Sequence, residues 1–498
     1  MKIAGLDIGT TGCKCTVFDE RGKYLGRAYR DYPVKRAVSG HEVDAAALLE
    51  GAFSCIREMA EKYPDIGGVG VTSFGESFVC TDEAGKPLYP VMLYTDPRGG
   101  EECRELVERL GERWIAHITG VRPHETYSLP KIMWVKKNCP EIYHATKRIF
   151  LMVDFVVYHL TGKAQMDYSL AARTMGFDIR KLCWSREVFE AAEIDVRLMP
   201  QPVPAGTVAG NVTAAAALCT GLSENAKVVS ISHDQVSAAV GAGAFDGAVA
   251  VDGAGTVQCL TPIYDEMPDI DIMYQGYFAV VPYVIPGKYV AYAFSYTGGA
   301  LIQWCVDTFG QKAAELAAQQ GMSVNTYWEQ AYRKQKDAPS GLLVLPHFAG
   351  AATPYMDTGS RGAILGLTMA TTEVDIYRGC MEAVVYEMYL NLQSLKESGV
   401  RFTRLHATGG GAHSGEWMQM KADVLNLPIV ALKTVDAGTV GSAMLTGVAI
   451  GLFGDLEEAA DSMVEEAAVY EPRPWMYEQY MQVYEKYKEV YRAVRGLV

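Results

Sequence analysis

The sequence lacks long apolar runs and paired cysteines, and each absence excludes a class of protein. No uninterrupted hydrophobic stretch is long enough to cross a bilayer, and a short apolar strand follows Met1 and Lys2 directly, with no cleavage site behind it. The eleven cysteines are scattered singly apart from Cys13 and Cys15, which is typical of reduced thiols rather than a disulfide framework. We therefore expect a cytoplasmic protein with no membrane partner.

Excess positive charge is missing as well. The formal net charge is −14, whereas a nucleic-acid partner requires clustered lysine and arginine, so no nucleic-acid partner is expected. With 498 residues, of which 49% are hydrophobic, the chain exceeds the size at which a single core usually stops growing. We predict two domains, 1–245 and 246–498.

Short apolar runs separated by turns open the sequence. Residues 2–8, 13–18 and 23–29 have the pattern of strands, and strands this close in sequence pair as antiparallel hairpins. Apolar residues then recur at helical spacing over 42–62, and 66–72 returns to a strand pattern. This order predicts an α/β fold with mixed sheets flanked by helices.

The first turn, Gly9-Thr10-Thr11-Gly12, combines glycines with hydroxyl residues at the tip of a hairpin. Such a turn exposes backbone N–H groups to an approaching phosphate, although an ordinary hairpin turn has the same composition. Asp7, at the end of the preceding strand, is a candidate ligand for Mg2+, directly or through water. The Gly-Lys-Ser or Gly-Lys-Thr ending of a Walker loop is absent from this turn.

Cys13 and Cys15 alternate with Lys14 on the predicted second strand, so the two thiols share one face and the lysine lies on the other. A zinc site would need two further ligands, and the sequence has no Cys-x-x-Cys or histidine pair at suitable spacing. We interpret the cysteines as small buried hydrophobic residues. Lys14 is the residue of this strand that we expect to meet a phosphate.

Residues 228–243, VVSISHDQVSAAVGAG, place a polar cluster between an apolar strand and a small-residue helix. Asp234 lies at that junction, where α/β proteins often bind ligands. Its carboxylate is a candidate acceptor for the proton of a substrate hydroxyl that attacks a phosphoryl group, although capping of the helix is a simpler role. Serine chemistry with a His233–Asp234 dyad is disfavoured, because no Gly-x-Ser-x-Gly elbow is present.

A related pattern opens the second half, where 247–256 is GAVAVDGAGT. The repeated order of strand, aspartate, glycine and threonine predicts two related domains that each offer a turn to one cleft. Residues 405–414, LHATGGGAHS, add a glycine-rich turn that permits close approach of a nucleotide. We predict that 97–198 is mainly helical and walls a substrate pocket, and that the tyrosine stripe of 477–491 packs on its own domain.

Several motifs, in order, resemble the FGGY family of carbohydrate kinases, in the actin-like ATPase superfamily, over almost the whole chain. The matching segments are 7–11 (DIGTT), 95–98 (TDPR), 131–138 (KIMWVKKN), 362–367 (GAILGL), 407–412 (ATGGGA) and 423–428 (DVLNLP). The resemblance implies two ribonuclease-H-like domains, the first mainly for sugar and the second mainly for ATP. It also implies closure between them, which excludes water that would otherwise take the phosphoryl group.

Carried over position by position, the resemblance implies ATP and Mg2+ as cofactors, Asp234 as the catalytic base and Asp7 as support for the Mg2+-nucleotide. The positions implied around ATP are Thr10, Thr11, Gly12, Lys14, Gly255, Thr256, Gly299, Gln303, Gly410, Gly411 and Ala412. The positions implied around the sugar, besides Asp234, are Gly75, Glu76, Asp96, Arg98 and Gln235. Glu76 and Asp96 suit hydroxyl contacts because carboxylates accept hydrogen bonds from polyols, although Glu76 also fits a solvated loop.

The substrate segment departs from better-known members of the family. Xylulokinases carry Gln-Met-His-Gly where this chain has residues 74–77, FGES. Glycerol kinases carry Gln-Arg-Glu there and share Glu76, the turn 85–89 (GKPLY) and Asp234-Gln235, but Gly75 replaces their arginine. We predict a kinase for a primary hydroxyl of a small sugar. A ketopentose such as xylulose is slightly favoured over a polyol or a deoxyhexulose.

An actin-like or chaperone-type ATPase without a sugar substrate is the alternative from another class. Asp96, Arg98, Asp234 and the segment at Lys131 argue against it, because such an ATPase needs no sugar pocket. The expected partners are therefore a small sugar or polyol and ATP, and a homodimer is the assembly considered.

Overall fold

A computed structural model describes residues 1–37, 40–334, 338–434 and 436–497 of the chain. Two large sheets, one in each half of the chain, carry the fold. Within the described ranges, no helix is both long and apolar enough to cross a membrane.

The first half of the chain builds one large sheet, one smaller sheet and short strand pairs. Its strands are β1 (Lys2–Ile8), β2 (Gly12–Phe18), β3 (Tyr24–Asp31), β4 (Val34–Ala37), β5 (Gly40–Val43), β6 (Ile66–Ser73), β7 (Phe78–Thr81), β8 (Val91–Met92), β9 (Arg148–Leu151), β10 (Gln165–Asp167), β11 (Phe177–Asp178), β12 (Cys183–Trp184), β13 (Gln201–Val203), β14 (Thr207–Asn211) and β15 (Lys227–His233). The large sheet has the order β14-β15-β6-β1-β2-β3, and the smaller one has the order β4-β5-β8-β7-β9. Antiparallel pairing of β1 with β2 and of β2 with β3 confirms the predicted hairpins, whereas β1 and β6 are parallel.

The second half repeats this arrangement around its own central strand. Its strands are β16 (Val249–Ala254), β17 (Gln258–Tyr264), β18 (Ala279–Pro282), β19 (Tyr289–Ser295), β20 (Leu343–Leu345), β21 (Ala363–Leu365), β22 (Arg404–Thr408), β23 (Ile429–Leu432) and β24 (Glu466–Tyr470). The sheet order is β18-β19-β17-β16-β22-β23-β24. Like β1, β16 pairs antiparallel with the next strand and parallel with a later one.

Helices flank both sheets, which confirms the predicted α/β class. They are α1 (Ala45–Lys62), α2 (Gly100–Leu110), α3 (Glu112–Thr119), α4 (Ser128–Asn138), α5 (Pro140–Ala145), α6 (Met152–Thr161), α7 (Tyr168–Ala172), α8 (Arg186–Ala192), α9 (Ala214–Thr220), α10 (Asp234–Gly241), α11 (Ile270–Gln275), α12 (Gly299–Phe309), α13 (Gln311–Gln319), α14 (Val324–Arg333), α15 (Glu373–Glu397), α16 (Gly415–Leu425), α17 (Ala437–Ala449), α18 (Leu456–Met463) and α19 (Pro474–Val494). Short 3-10 helices cover Val196–Leu198 and Gly410–His413. The segment 97–198 contains α2 to α8 and is mainly helical, as predicted.

α1 starts later than predicted, and α19 packs as predicted. The prediction that the first helix starts at residue 42 is wrong, because Asp44 caps α1 by accepting a hydrogen bond from the Ala46 N–H (2.8 Å). Glu42 instead pairs within the smaller sheet, in β5. α19 confirms its prediction, since its tyrosines face its own domain and the ring of Tyr487 lies 5.3 Å from that of Tyr386 in α15.

α17 belongs to the second half of the sequence but packs on the large sheet of the first half. A Cβ atom added at Gly5 in β1 would lie 2.2 Å from the Thr439 carbonyl oxygen. One added at Gly70 in β6 would lie 2.1 Å from the Thr446 hydroxyl. The helix therefore contacts the sheet at backbone distance, which glycine alone permits at these two positions.

α17 also crosses α10 at backbone distance. A Cβ atom at Gly241 would lie 1.9 Å from the Ala437 carbonyl oxygen, and one at Gly441 would lie 1.9 Å from the Ser237 carbonyl oxygen. The Ser237 hydroxyl donates a hydrogen bond to the Gly438 carbonyl oxygen (2.8 Å). The crossing fixes the starts of both helices relative to each other.

Candidate active site

Asp234 lies where β15 ends and α10 begins. His233 occupies the capping position, and the Asp234 carboxylate accepts a hydrogen bond from the adjacent Gln235 N–H (2.6 Å) rather than capping the helix. Its side chain is 32% exposed. Burial and, next, the charge of Asp7 raise the pKa of Asp234 to about 7. A carboxyl group that is half ionised near neutral pH is suited to accepting a proton.

Asp7 and Lys14 face each other across the β1–β2 hairpin, where they are register partners. The Lys14 amine lies 3.0 Å from an Asp7 carboxylate oxygen and 3.1 Å from one of Asp436. Burial alone would lower the pKa of Lys14, but the two carboxylates raise it above its ordinary value. The lysine thus bridges the first half of the chain and the start of α17.

Asp436 was not predicted as a site residue. It caps α17, accepting a hydrogen bond from the Thr439 N–H (3.3 Å), and an aspartate before a small-residue helix is the local signal for that role. Nothing local indicates that the cap lies beside Lys14, because that contact joins distant parts of the chain.

The pair of carboxylates fits a Mg2+ ion. Asp7 Oδ1 and Asp436 Oδ2 are buried and have no hydrogen-bond partner among the described residues. Mg2+ commonly takes one or two carboxylates and completes its shell with water and phosphate oxygens. The described ranges contain no cluster of three or more His, Cys, Asp or Glu side chains that could hold a metal ion. Side chains of these ranges alone therefore do not complete a coordination shell.

Glu76 is buried, 5% exposed, so the alternative of a solvated loop acid is wrong. Its backbone is left-handed (φ 60°), a conformation that is costly for a residue other than glycine and recurs at ligand sites. Its carboxylate forms an ion pair with Arg173, and its carbonyl oxygen accepts a hydrogen bond from Ser128 (2.7 Å). Arg173 is a second residue that the sequence did not indicate.

Asp96 and Arg98 are brought together in one network. The Arg98 guanidinium donates to both oxygens of Asp96 (2.8 and 2.6 Å) and to Glu42 (2.8 Å), and it stacks 4.9 Å from the ring of Trp134. Asp96 also accepts from the His41 N–H (2.6 Å). These bonds occupy the acceptor positions of Asp96, so its contact with a substrate hydroxyl stays a prediction.

Lys131 connects this network to Glu76. It is fully buried and donates to the Glu125 carbonyl oxygen. Burial lowers the pKa of Lys131 to about 8, while the charges of Asp96 and Glu76 oppose the change. Both acids therefore lie close to one buried amine.

The turn after β1 brings Thr10 to the same region. Thr11 is exposed, and the Thr10 hydroxyl is within hydrogen-bonding reach of Tyr94, whose phenol also feels the charges of Glu76 and Asp234. Gly12 is buried, and a Cβ atom there would lie 2.5 Å from the Tyr29 hydroxyl.

In the second half of the chain, three predicted nucleotide positions lie close together. The Gly299 N–H donates to the Gly255 carbonyl oxygen (2.9 Å), and the Gly298 N–H donates to that of Thr256 (3.0 Å). The turn after β16 therefore meets the start of α12. Gln303 lies one helical turn further along, is exposed and donates to Asp307 (2.8 Å).

The glycine-rich turn after β22 packs on the same place. A Cβ atom at Gly409 would lie 2.7 Å from the Ala254 carbonyl oxygen, and one at Gly411 would lie 3.0 Å from the Ala254 side chain. Gly410 is exposed with nothing within 4 Å, whereas Ala412 is buried. The two predicted turns thus form one continuous surface of backbone.

The aspartate of the second turn behaves unlike that of the first. Asp252 is fully buried, the Lys421 amine (2.5 Å) neutralises its charge, and the Gln258 amide donates a hydrogen bond to it. The repeated pattern therefore reproduces the strand and turn, but not an acid that faces the cleft.

The cysteines near the first turn lie in the core. Cys13 and Cys15 are buried, and the Cys13 sulfur lies 4.0 Å from that of Cys55. Lys14 lies on the other face of the strand, as predicted. The expectation that this pair holds no zinc remains a prediction.

Comparison with protein families gives the context for this geometry. The N-terminal domain model of the FGGY family of carbohydrate kinases matches residues 2–241, and the C-terminal domain model of that family matches residues 256–450. The chain belongs to the FGGY family of carbohydrate kinases. Members of this family are phosphotransferases with an alcohol group as acceptor, which confirms the predicted enzyme class.

Curated relatives of this FGGY kinase cover nearly its whole length. It is 28% identical to the xylulose kinase of Lactococcus lactis subsp. lactis (strain IL1403), over 96% of this chain and 94% of the relative. It is 29% identical to the glycerol kinase of Halorhodospira halophila (strain DSM 244 / SL1), over 94% of this chain and 92% of the relative.

Solved structures agree on the fold. The ligand-bound xylulose kinase from Lactobacillus acidophilus superposes with a TM-score of 0.90 at 22% identity, covering 99% of this chain and 98% of the other. Plasmodium falciparum glycerol kinase with ADP gives a TM-score of 0.84 at 20% identity, covering 98% of each chain. These matches confirm the predicted α/β fold, which this chain shares with both solved kinases.

Proposed function

We propose that this FGGY kinase transfers the γ-phosphoryl group of ATP to a primary hydroxyl of a small sugar, with a ketopentose such as xylulose favoured. The observation that carries the proposal is Asp234, whose pKa is raised to about 7 and which feels the charges of Asp7, Glu76 and Lys14. The candidate base is thus close both to Asp7 and Lys14, where we expect the phosphates, and to Glu76, where we expect the sugar.

The relatives support this order of substrates. Relatives named xylulose kinase align over 96% of the chain, which supports a ketopentose. Those named glycerol kinase, at 27–29% identity, keep a polyol as the second candidate. Glu76 suits either, since a carboxylate accepts hydrogen bonds from sugar and polyol hydroxyls alike.

In the proposed reaction, the Asp234 carboxylate takes the proton of the sugar hydroxyl as that oxygen bonds to the γ-phosphorus. The bond from this phosphorus to the bridging oxygen breaks, and ADP leaves with its electron pair. Lys14 would offset phosphate charge, and the exposed backbone at Thr11 and Gly410 would lie along the nucleotide. Proton transfer and positioning are the tasks of the protein in such a transfer.

Asp7 and Asp436 are the residues that would hold Mg2+, because each has a buried oxygen without a partner in the described structure. When bound, the ion would neutralise charge on the phosphates of ATP. The Lys14 amine pairs with both carboxylates and so offsets part of their charge.

The first experiment identifies the acceptor. Purified protein with ATP and Mg2+ is tested for ADP release with pentuloses, hexuloses and polyols, including D-xylulose and glycerol. We expect release that depends on the acceptor and is fastest with a ketopentose. Release at the same rate with no acceptor would instead favour a chaperone-type ATPase.

The second experiment tests the base. Asp234→Asn keeps the shape of the side chain but removes the proton acceptor, so we expect kcat to fall by about 10²- to 10⁴-fold with ATP binding nearly intact. Asp461→Asn, at an exposed position of α18, is the matched control. An Asp234→Asn enzyme that retains most of its turnover would refute the assignment.

A further inference from the structure

Arg173 is a buried cationic side chain that pairs with Glu76, and no motif indicates it. It follows α7 and is 13% exposed. Its guanidinium forms an ion pair with Glu76 and lies 5.3 Å from the ring of Tyr127 and 5.4 Å from that of Tyr292. Two aromatic faces and one carboxylate thus hold it in place.

Gly75 leaves room for this arginine. A Cβ atom at position 75 would lie 2.9 Å from the His233 ring and 3.3 Å from the Cγ of Arg173. Any larger residue would therefore have to displace one of these two side chains. The side chains beside position 75 are therefore Arg173, which follows α7, and His233, at the end of β15.

Three buried polar atoms around Arg173 have no partner among the described residues: Arg173 Nε, His233 Nδ1 and the Tyr292 hydroxyl. The His233 and Tyr292 rings are 5.3 Å apart, and His233 Nε2 lies 3.3 Å from an Asp234 oxygen. Leaving buried polar groups unpaired is costly. A ligand rich in hydroxyl groups would supply the missing partners next to the base.

We propose that Arg173 is a specificity-determining residue, whose guanidinium, anchored by Glu76, donates hydrogen bonds to an oxygen of the sugar and so selects the hydroxyl presented to Asp234. This inference rests on the proposed function and narrows it to neutral sugars. Because Glu76 already compensates Arg173, the pair offers no net positive charge to the carboxylate of a sugar acid.

The test compares sugar affinity with ATP affinity. In Arg173→Met we expect the KM for D-xylulose to rise about 10- to 100-fold, as for loss of one or two hydrogen bonds from a charged donor, while the KM for ATP changes less than about twofold. Calorimetric titration of D-xylulose without ATP should show the same loss. Arg180→Met, an exposed arginine seven positions along the chain, is the control.

Two milder variants keep the test decisive if Arg173→Met does not fold. Arg173→Lys keeps the charge but loses the planar fork, and Tyr292→Phe removes only a hydroxyl. Both should weaken D-xylulose binding and leave ATP binding intact. Unchanged D-xylulose affinity in the folded Arg173 variants would overturn the inference.

The wild-type protein separates this inference from the proposed function. No turnover with any sugar or polyol would refute the proposed function, and this inference with it. Turnover of D-xylulose by the wild type, together with unaltered Arg173 variants, refutes the role of Arg173 alone. The wild type is also tested with D-gluconate. Phosphorylation of this acid at a higher rate than that of D-xylulose would overturn the restriction to neutral sugars.

Discussion

At the scale of single residues, Asp7, Lys14 and Asp436 form an alternating row of charges, with side chains that are 12%, 30% and 15% exposed. The amine lies 3.0 and 3.1 Å from the two carboxylates. Burial raises the pKa of Asp7, Lys14 opposes the change, and Asp436 adds to it. The lysine thus opposes the rise in the pKa of Asp7.

Removing this amine should destabilise the fold in a pH-dependent way. Lys14→Met removes the positive charge that lowers the pKa of Asp7, so this pKa rises further above its ordinary value and the ionisation of Asp7 costs more stability as pH increases. We expect the Tm deficit relative to wild type to be larger at pH 8 than at pH 5, and the KM for ATP to rise about tenfold. Thermal unfolding at both pH values measures the first effect.

Lys312→Met, on the exposed face of α13, is the control for loss of a lysine. A deficit that is equal at pH 5 and pH 8 would contradict the charge argument and leave only a packing effect.

The raised pKa of Asp234 predicts how activity depends on pH. A general base must be ionised, so kcat/KM for the sugar should rise about tenfold per pH unit below about 7 and level off above it. Initial rates with D-xylulose between pH 5.5 and 9 test this. A profile that is flat between pH 5.5 and 7 would exclude a base with this pKa.

Asp234 and Arg173 show what sequence reasoning can find among site residues. Asp234 stands between an apolar strand and a small-residue helix, so local sequence marks it as a candidate. Arg173 meets Glu76 across 97 positions of sequence, and Asp436 meets Lys14 across a still larger separation. Such contacts depend on how distant elements pack, which a local pattern does not contain.

At the scale of elements, the crossing of α10 and α17 is the most closely packed contact beside the site. α10 begins at Asp234, and the cap of α17 is Asp436, so the crossing sets the distance between the candidate base and the acid pair. Gly241 and Gly441 allow the backbones to touch. Any added side chain must push the two helices apart.

Gly441→Ala should therefore impair both stability and catalysis. Its Cβ would lie 1.9 Å from the Ser237 carbonyl oxygen, and overpacking of this kind typically costs about 1–3 kcal/mol. We expect a lower Tm and a kcat reduced by about tenfold or more, since small displacements of catalytic groups have large effects. Gly100→Ala in α2, where the nearest atom is 4.0 Å away, is the control, and equal behaviour of the two variants would contradict the prediction.

Helices and strands were predictable where a short stretch of sequence carries the pattern that forms them. The hairpins of β1, β2 and β3 follow from short apolar runs and tight turns, and α19 follows from its tyrosine spacing. The start of α1 was misplaced because Glu42 and Val43 continue the helical pattern, while pairing with β4 and β8 draws them into a strand. The position of α17 has no local signal, since small residues alone do not indicate which sheet a helix covers.

At the scale of the molecule, a continuous cluster of buried hydrophobic residues runs through both halves. α17 contributes to it from the second half while covering β1 and β6 of the first. The two large sheets are therefore not separate folding units joined by a linker.

We expect a single unfolding transition by calorimetry, although chains of two domains often unfold in steps. Gly441→Ala should shift this transition as a whole. Two resolved transitions in the wild type, or a variant that lowers only one of them, would contradict the coupling that α17 provides.

The placement of α17 also bears on how kinases of this architecture can be recombined. A hybrid that joins the first half of one relative to the second half of another would pack a foreign helix against Gly5, Gly70 and Gly241, where the close contact leaves no space for an added atom. Active hybrids should therefore require that residues 437–449 travel with the first half, so the unit of exchange is discontinuous in sequence.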